Sequence, residues 1–192
     1  VDSALSTAYQ LRPDLSLLGM IAFCAFLLDG AAYNWSAVHL ESARDASAGL
    51  AAAAFTMFSL TLALGRLFGD RLVARFGRVR VVQGCGAVAA AGSLLAIVAP
   101  TAGTALAGWA LFGLGLAALA PTVLGAAPSV AGVPPGVAIA AVTTIGYLGS
   151  FTGPPAIGVL AELSNLSVAL TMLVVASTLL VVPARLGLRE RS

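Results

Sequence analysis

The sequence predicts an all-α membrane protein built as a bundle of six transmembrane helices, and three observations lead there. Of 192 residues, 59% are hydrophobic and only 9% are charged, with a mean hydropathy of +1.00; a soluble domain carries about 25% charged residues. A water-soluble fold of this size buries only about 70% of the surface its chain exposes, so the bilayer is the expected solvent. The apolar residues fall into six runs, each near the ~20 residues that carry a helix across ~30 Å of hydrocarbon. Five of the ten basic residues (Arg66, Arg71, Arg75, Arg78 and Arg80) crowd into the segment Gly65 to Arg80 between two of those runs. Arginine is costly in hydrocarbon and biases the loop that carries it toward the cytoplasm.

The first span runs from about Leu15 to Val38, and the polar stretch Ser42 to Asp45 separates it from the second. The second runs from about Ala48 to Leu64 and ends where the arginines begin. The third runs from about Val81 to Ala99 and stops at Pro100, which has no N–H to continue the helical ladder. Pro100 and Thr101 make a tight turn into the fourth, from about Ala102 to Leu124, where Pro121 and Thr122 either kink the helix or simply pack. An uncharged turn, Gly132 to Gly136, leads to the fifth, from about Gly136 to Leu160. Glu162 to Asn165 links it to the sixth, from about Leu166 to Val182, which Pro183 ends. Loops this short make consecutive helices antiparallel neighbours. Residues 1–192 are expected to form one domain.

With six spans, both termini share a side. That side holds Arg12, the five clustered arginines, Arg185, Arg189 and Arg191, and the other side holds only Arg44. The asymmetry places both termini in the cytoplasm. Cys24 and Cys85 lie inside apolar runs and read as small buried hydrophobes. The chain opens on Val1 rather than Met, as a fragment or a processed product would, and its first apolar run has no basic leader or small-residue cleavage site.

Asp29 is the one acid deep within a span. An ionisable group there is expensive and faces a cavity or a partner. Tyr33 and Ser36 follow on the same helical face, so Asp29 heads a stripe suited to bind substrate or carry a proton; the competing role is a hydrated or capped acid in the outer third of the span. Asn34 and Trp35 flank this stripe. Asn34 also suits a helix–helix hydrogen bond, and Trp35 also suits the membrane interface. His39, beside Glu41, is expected as a solvated rim residue. Thr143, Thr144, Tyr147 and Phe151 form a second stripe, on the fifth span, which lines a cavity or bonds its own backbone. Gly65–Gly69 and Gly149–Gly153 have the spacing of close helix packing, and Gly84–Gly86 and Gly113–Gly115 add flat patches. Asp70 beside several guanidiniums can latch neighbouring helix ends; the arginines can equally set topology and touch lipid phosphates.

Two motifs resemble the major facilitator superfamily of secondary transporters, and the resemblance spans essentially the whole chain. The superfamily's loop reads Gly-x-x-x-Asp-Arg-x-Gly-Arg-Arg. Gly65, Asp70, Arg71, Gly77 and Arg78 supply those residue types, with one extra residue before Asp70 and an extra helical turn before Gly77. The longer form is similar to that of fucose-permease-like members. Gly149, Gly153, Pro154 and Gly158 resemble the Gly-x-x-x-Gly-Pro-x-x-Gly-Gly pattern of a fifth helix, with Ile157 in place of one glycine. The run Asp29-Gly30-x-x-Tyr33-Asn34-Trp35 resembles the seventh helix of permeases, which implies a C-terminal six-helix half. The resemblance implies half of a secondary transporter in a bacterial cytoplasmic membrane. A small solute, sugar-like or an efflux substrate, would bind against an N-terminal six-helix half from the same parent chain or a second copy, with protons as the candidate coupling ion. Gly65, Arg66, Gly69, Asp70, Arg71, Arg75, Gly77 and Arg78 would then form a cytoplasmic gate loop, and Gly149 to Gly158 a break in the helix. A non-transporting scaffold or sensor, or a passive facilitator, is the alternative.

Other classes lack their parts. There is one His, no GxSxG and no HExxH, so neither a hydrolase nor a metal site is expected, and no cofactor is implied. A channel would want a filter ring. A nucleotide-driven pump would want a Walker lysine, and the chain has no Lys. The basic cluster is the size of a membrane loop, which argues against nucleic acid as a partner.

Overall fold

A computed structural model describes residues 13–181, and all regular structure in that range is helical. The helices are α1 (Pro13–Arg44), α2 (Ala48–Phe76), α3 (Arg78–Val98), α4 (Ala102–Leu116), α5 (Leu119–Ala126), α6 (Pro135–Leu163), α7 (Leu166–Ala169) and α8 (Thr171–Leu179), with a 3-10 turn at Ala127–Ser129. Five stretches are long and apolar enough to cross a membrane: Asp14–Arg44, Ala48–Phe76, Arg78–Val98, Ala102–Ser129 and Pro135–Leu163. The apolar helix Leu166–Leu179 is the shorter sixth. Arg12, Arg185, Arg189, Arg191 and the end of the sixth span lie outside the described residues.

Several helices outrun the apolar runs that reveal them. The first continues from Val38 to Arg44 and the second from Leu64 to Phe76. Arginine is a good helix former, so the ladder continues through Arg66, Arg71 and Arg75. The Arg-rich segment is therefore helix, not loop, up to a single hinge at Gly77. There φ is 79° and ψ 158°, a conformation essentially restricted to glycine.

The two proline-containing spans behave differently. The fourth is interrupted at Ala117 and Ala118. The break lies four residues before Pro121, where the missing N–H and the ring clash fall on the carbonyl of Ala117. The fifth, α6, runs unbroken through Pro154 and Pro155, so the helix break expected at Gly149 to Gly158 does not occur. Turn chemistry closes the remaining ends. Thr101 and Thr104 form a reciprocal capping box at α4, and Asn165 caps α7 by accepting from the Val168 N–H at 3.0 Å.

Packing is backbone against backbone. Added Cβ atoms on Gly92, Gly108 and Gly115 would sit 2.8 Å from Phe112 Cα, 2.6 Å from Ala96 Cα and 2.7 Å from Ala89 Cα, so α3 and α4 touch without intervening side chains. Gly113 faces the other way, onto Phe58 of α2. The largest helix contact joins α1 to α6. Gly149 and Gly153 rest on the backbone of Phe23 and on Leu27, and Gly30 receives the Ser150 carbonyl, 2.7 Å from where a Cβ would stand. Pro154 leaves that carbonyl without its helical donor, so a glycine opposite accommodates it without steric conflict.

Candidate functional site

Asp29 lies near the middle of α1, half-buried, with its Oδ1 enclosed and without a hydrogen-bond partner among the described residues. Phe26, Asp29 and Tyr33 follow at helical spacing along one face. Two helices flank that face. On one side Tyr147 of α6 stacks on Phe26, with centroids 5.6 Å apart and planes 8° from parallel. On the other, Tyr33 meets Phe55 and Phe58 of α2 at 5.7 and 5.3 Å. Tyr33 and Tyr147 remain 43% and 55% exposed, so both line the surface rather than the core. Arg66 of α2 is the cation whose field reaches Asp29. The fold thus sets a residue of the arginine-rich segment within electrostatic range of the acid, although the two lie 37 positions apart in sequence.

The remaining members of the two stripes separate. Asn34 is exposed, and its Nδ2 donates to the Gly30 carbonyl of its own helix at 2.7 Å, not to a neighbouring helix. Trp35 donates from Nε1 to the Pro154 carbonyl at 3.2 Å, and its ring lies 3.5 Å from where a Cβ on Gly158 would stand. It clamps α1 to α6 beside the prolines. Trp35→Phe removes this bond and is expected to cost about 1 kcal/mol, read as a lowered unfolding temperature in detergent. Thr144 and Phe151 are exposed and Thr143 is half-buried, all on the same helix as Tyr147.

Two expectations are corrected. Ser36 is fully buried, so it does not extend the surface stripe. His39 is no rim residue: it is 0% exposed, and its Nδ1 accepts from Trp109 Nε1 at 3.3 Å. That bond places the ring proton on Nε2, which has no partner among the described residues. A file of rings connects it to the surface: His39 to Trp109, Trp109 to Phe112, Phe112 to Phe58 and Phe58 to Tyr33, at 6.0, 5.7, 6.2 and 5.3 Å. Its partner comes from the fourth span, so nothing near His39 in sequence signals its burial.

At the arginine-rich end, Gly69, Asp70 and Val73 of α2 face Pro121, Thr122 and Gly125 of α5 across a cavity of about 260 Å³. Arg78 donates to the Gly125 carbonyl at 3.3 Å, tying the start of α3 to α5. Arg71 and Arg75 lie over the rings of Phe68 and Phe76 at 5.9 and 5.4 Å. Gly65 packs against Ala117 and Leu114 and Gly69 against Ala118, which seats α2 on the α4–α5 junction. Among the described residues no His, Cys, Asp and Glu side chains gather into a group able to hold a metal ion.

Comparison with known proteins places this arrangement. The chain is 39% identical to an MFS-type transporter of Yersinia pestis over 152 residues, covering 79% of this chain and 40% of that protein. It is 31% identical to the membrane protein MosC of Rhizobium meliloti over 160 residues, covering 83% of this chain and 39% of that one. The chain therefore spans about two fifths of the length of these relatives. Its fold matches part of the crystal structure of the Escherichia coli fucose:proton symporter FucP with a TM-score of 0.83 at 16% identity, over 99% of this chain and 46% of that one. A peptide transporter, POT, matches with a TM-score of 0.79 at 18% identity, over 91% of this chain and 38% of that one. The six helices correspond to half of such a fold, which pairs with another six-helix half. The family model of the Major Facilitator Superfamily matches residues 18–192, and this multi-pass membrane chain, no enzyme, belongs to that family.

Proposed function

We propose that the chain is the C-terminal half of a secondary transporter that moves a small solute by alternating access, with Asp29 as the proton-coupling group. The observation that carries the reading is Asp29 itself: in mid-span, with an enclosed carboxylate oxygen that has no partner among the described residues, beside exposed tyrosines on two packed helices. An acid in that position is expensive and is kept for work on a substrate or a proton. The Yersinia pestis relative bears the name of an MFS-type transporter, and the fold is shared with a fucose:proton symporter. The run from Asp29 to Trp35 supports assignment as the C-terminal half. The companion half would lie in the same parent chain or come from a second copy.

The arginine bias supports a bacterial cytoplasmic membrane with the Arg-rich end and both termini inside. Asp70, Arg71, Arg75 and Arg78 then act as a latch on that side, with Gly77 as its hinge. Asp70→Ala is expected to shift the balance between inward and outward states; unchanged labelling of cavity cysteines in both states would count against the latch. The substrate is sugar-like or an efflux solute. Transport by the complete protein in proteoliposomes, across a panel of sugars and lipophilic cations with and without a pH gradient, tests the whole reading. The expected result is gradient-dependent movement of one class, and gradient-independent movement of every solute would refute proton coupling.

A further inference from the structure

A groove of about 420 Å³ runs between α2, α3 and α4, and no described residue of α1 lines it. Phe68, Leu72 and Phe76 of α2, Gly84 and Val88 of α3, and Leu114 of α4 form its apolar walls. Arg80 is its one charged lining side chain among the described residues. We propose that this groove binds one anionic phospholipid, an acyl chain lying along the walls and the phosphodiester held by Arg80.

Depth, charge and shape argue for this occupant. From Arg80 to Val88 along α3, and from Phe76 to Gly65 along α2, the groove extends roughly 12–16 Å at 1.5 Å per residue. That matches one leaflet, about half of the ~30 Å hydrocarbon thickness. Its charged end lies where α2 gives way to α3, the level of the headgroups if the arginines face the interface. Two of the wall rings, Phe68 and Phe76, carry the guanidiniums of Arg71 and Arg75 over their faces, so cations rim the apolar trough. Guanidinium and phosphate form charge-assisted bonds that a purely apolar partner helix would forgo. Among the described residues an added Cβ on Gly84 meets nothing within 4 Å, so the wall of the groove leaves room for an acyl chain. The space above Gly84 is open in a chain whose other α3–α4 contacts are backbone against backbone.

The test uses the purified protein in non-ionic detergent with dioleoyl-phosphatidylglycerol or dioleoyl-phosphatidylcholine, and native mass spectrometry to count retained lipids. The wild type is expected to retain one phosphatidylglycerol about tenfold more than phosphatidylcholine, in line with a charge-assisted phosphate contact. Gly84→Phe, which fills the groove, and Arg80→Gln, which removes the charge, should each erase that preference. A Cys24→Ser background gives a second reading. Maleimide modification of Cys85, which lines the groove, should slow when phosphatidylglycerol is added and not when phosphatidylcholine is added. Because the open space at Gly84 admits a side chain, Gly84→Phe should stay monodisperse. Equal retention of the two lipids by the wild type, or undiminished preference in both variants, would overturn the proposal. So would a Gly84→Phe chain that keeps its lipid but loses association with the companion half, since protein would then be the occupant.

Discussion

Asp29→Asn is expected to reduce pH-gradient-driven transport by the complete protein to background while leaving solute exchange at zero gradient largely intact. The argument starts from isostery. Asn matches Asp in volume, so the packing of α1 against α2 and α6 survives, and what disappears is the group that gains and loses a proton. Mid-span placement and an enclosed Oδ1 with no partner among the described residues leave the carboxylate without the solvation that makes an acid inert in water. Arg66, whose charge acts on it, is the second half of the test. Arg66→Gln should lower gradient-driven transport about tenfold, equivalent to about 1.4 kcal/mol, and displace its pH profile. Retention of the wild-type rate and pH profile by Asp29→Asn would remove the proton role. Loss of exchange together with coupling would instead make Asp29 a substrate ligand.

Hydrocarbon made much of this architecture legible, because it demands apolar runs of a fixed length. Five of the six spans meet that requirement, the sixth appearing among the described residues as the shorter helix Leu166–Leu179, while the pairing of Gly65–Gly69 and Gly149–Gly153 with neighbouring helices was legible from their spacing. Helix ends were less legible. Apolarity stops at Leu64, whereas helical hydrogen bonding continues to Phe76 because nothing in Arg66 to Arg75 opposes it. The prolines show the limit of local reading. Pro121 breaks its helix, but Pro154 and Pro155 do not. The difference is tertiary: α1 supports α6 there, with Gly30 against the Ser150 carbonyl and Trp35 on that of Pro154. His39 was misplaced for a related reason, since Trp109, which gives it its setting, comes from another span. Of the glycines at the α3–α4 contact, Gly115 stood out in the sequence, whereas Gly92 and Gly108 did not, because each helix offers glycine to an ordinary residue of the other and no GxxxG repeat is required.

That last contact carries the largest expected effect on folding. Gly108→Leu should destabilise the bundle by about 3 kcal/mol or more, the upper end of overpacking costs. An added Cβ would already lie 2.6 Å from Ala96 Cα and 2.9 Å from Ala96 Cβ. Those are a backbone atom and a methyl fixed to it, so neither can rotate away. Leucine would have to push α3 and α4 apart along their whole contact, separating Gly92 from Phe112 and Gly115 from Ala89 as well. In a bilayer no hydrophobic force compensates, because lipid wets the separated faces as readily as protein does. Gly125→Leu is the matched comparison. A Cβ there meets nothing within 4 Å, and replacing a helical glycine gains about 1 kcal/mol of propensity. The two substitutions are thus expected to move stability in opposite directions, measured as unfolding midpoint and monodisperse fraction in the same detergent. Equal midpoints for the pair would show that the α3–α4 backbone contact does not hold the bundle together.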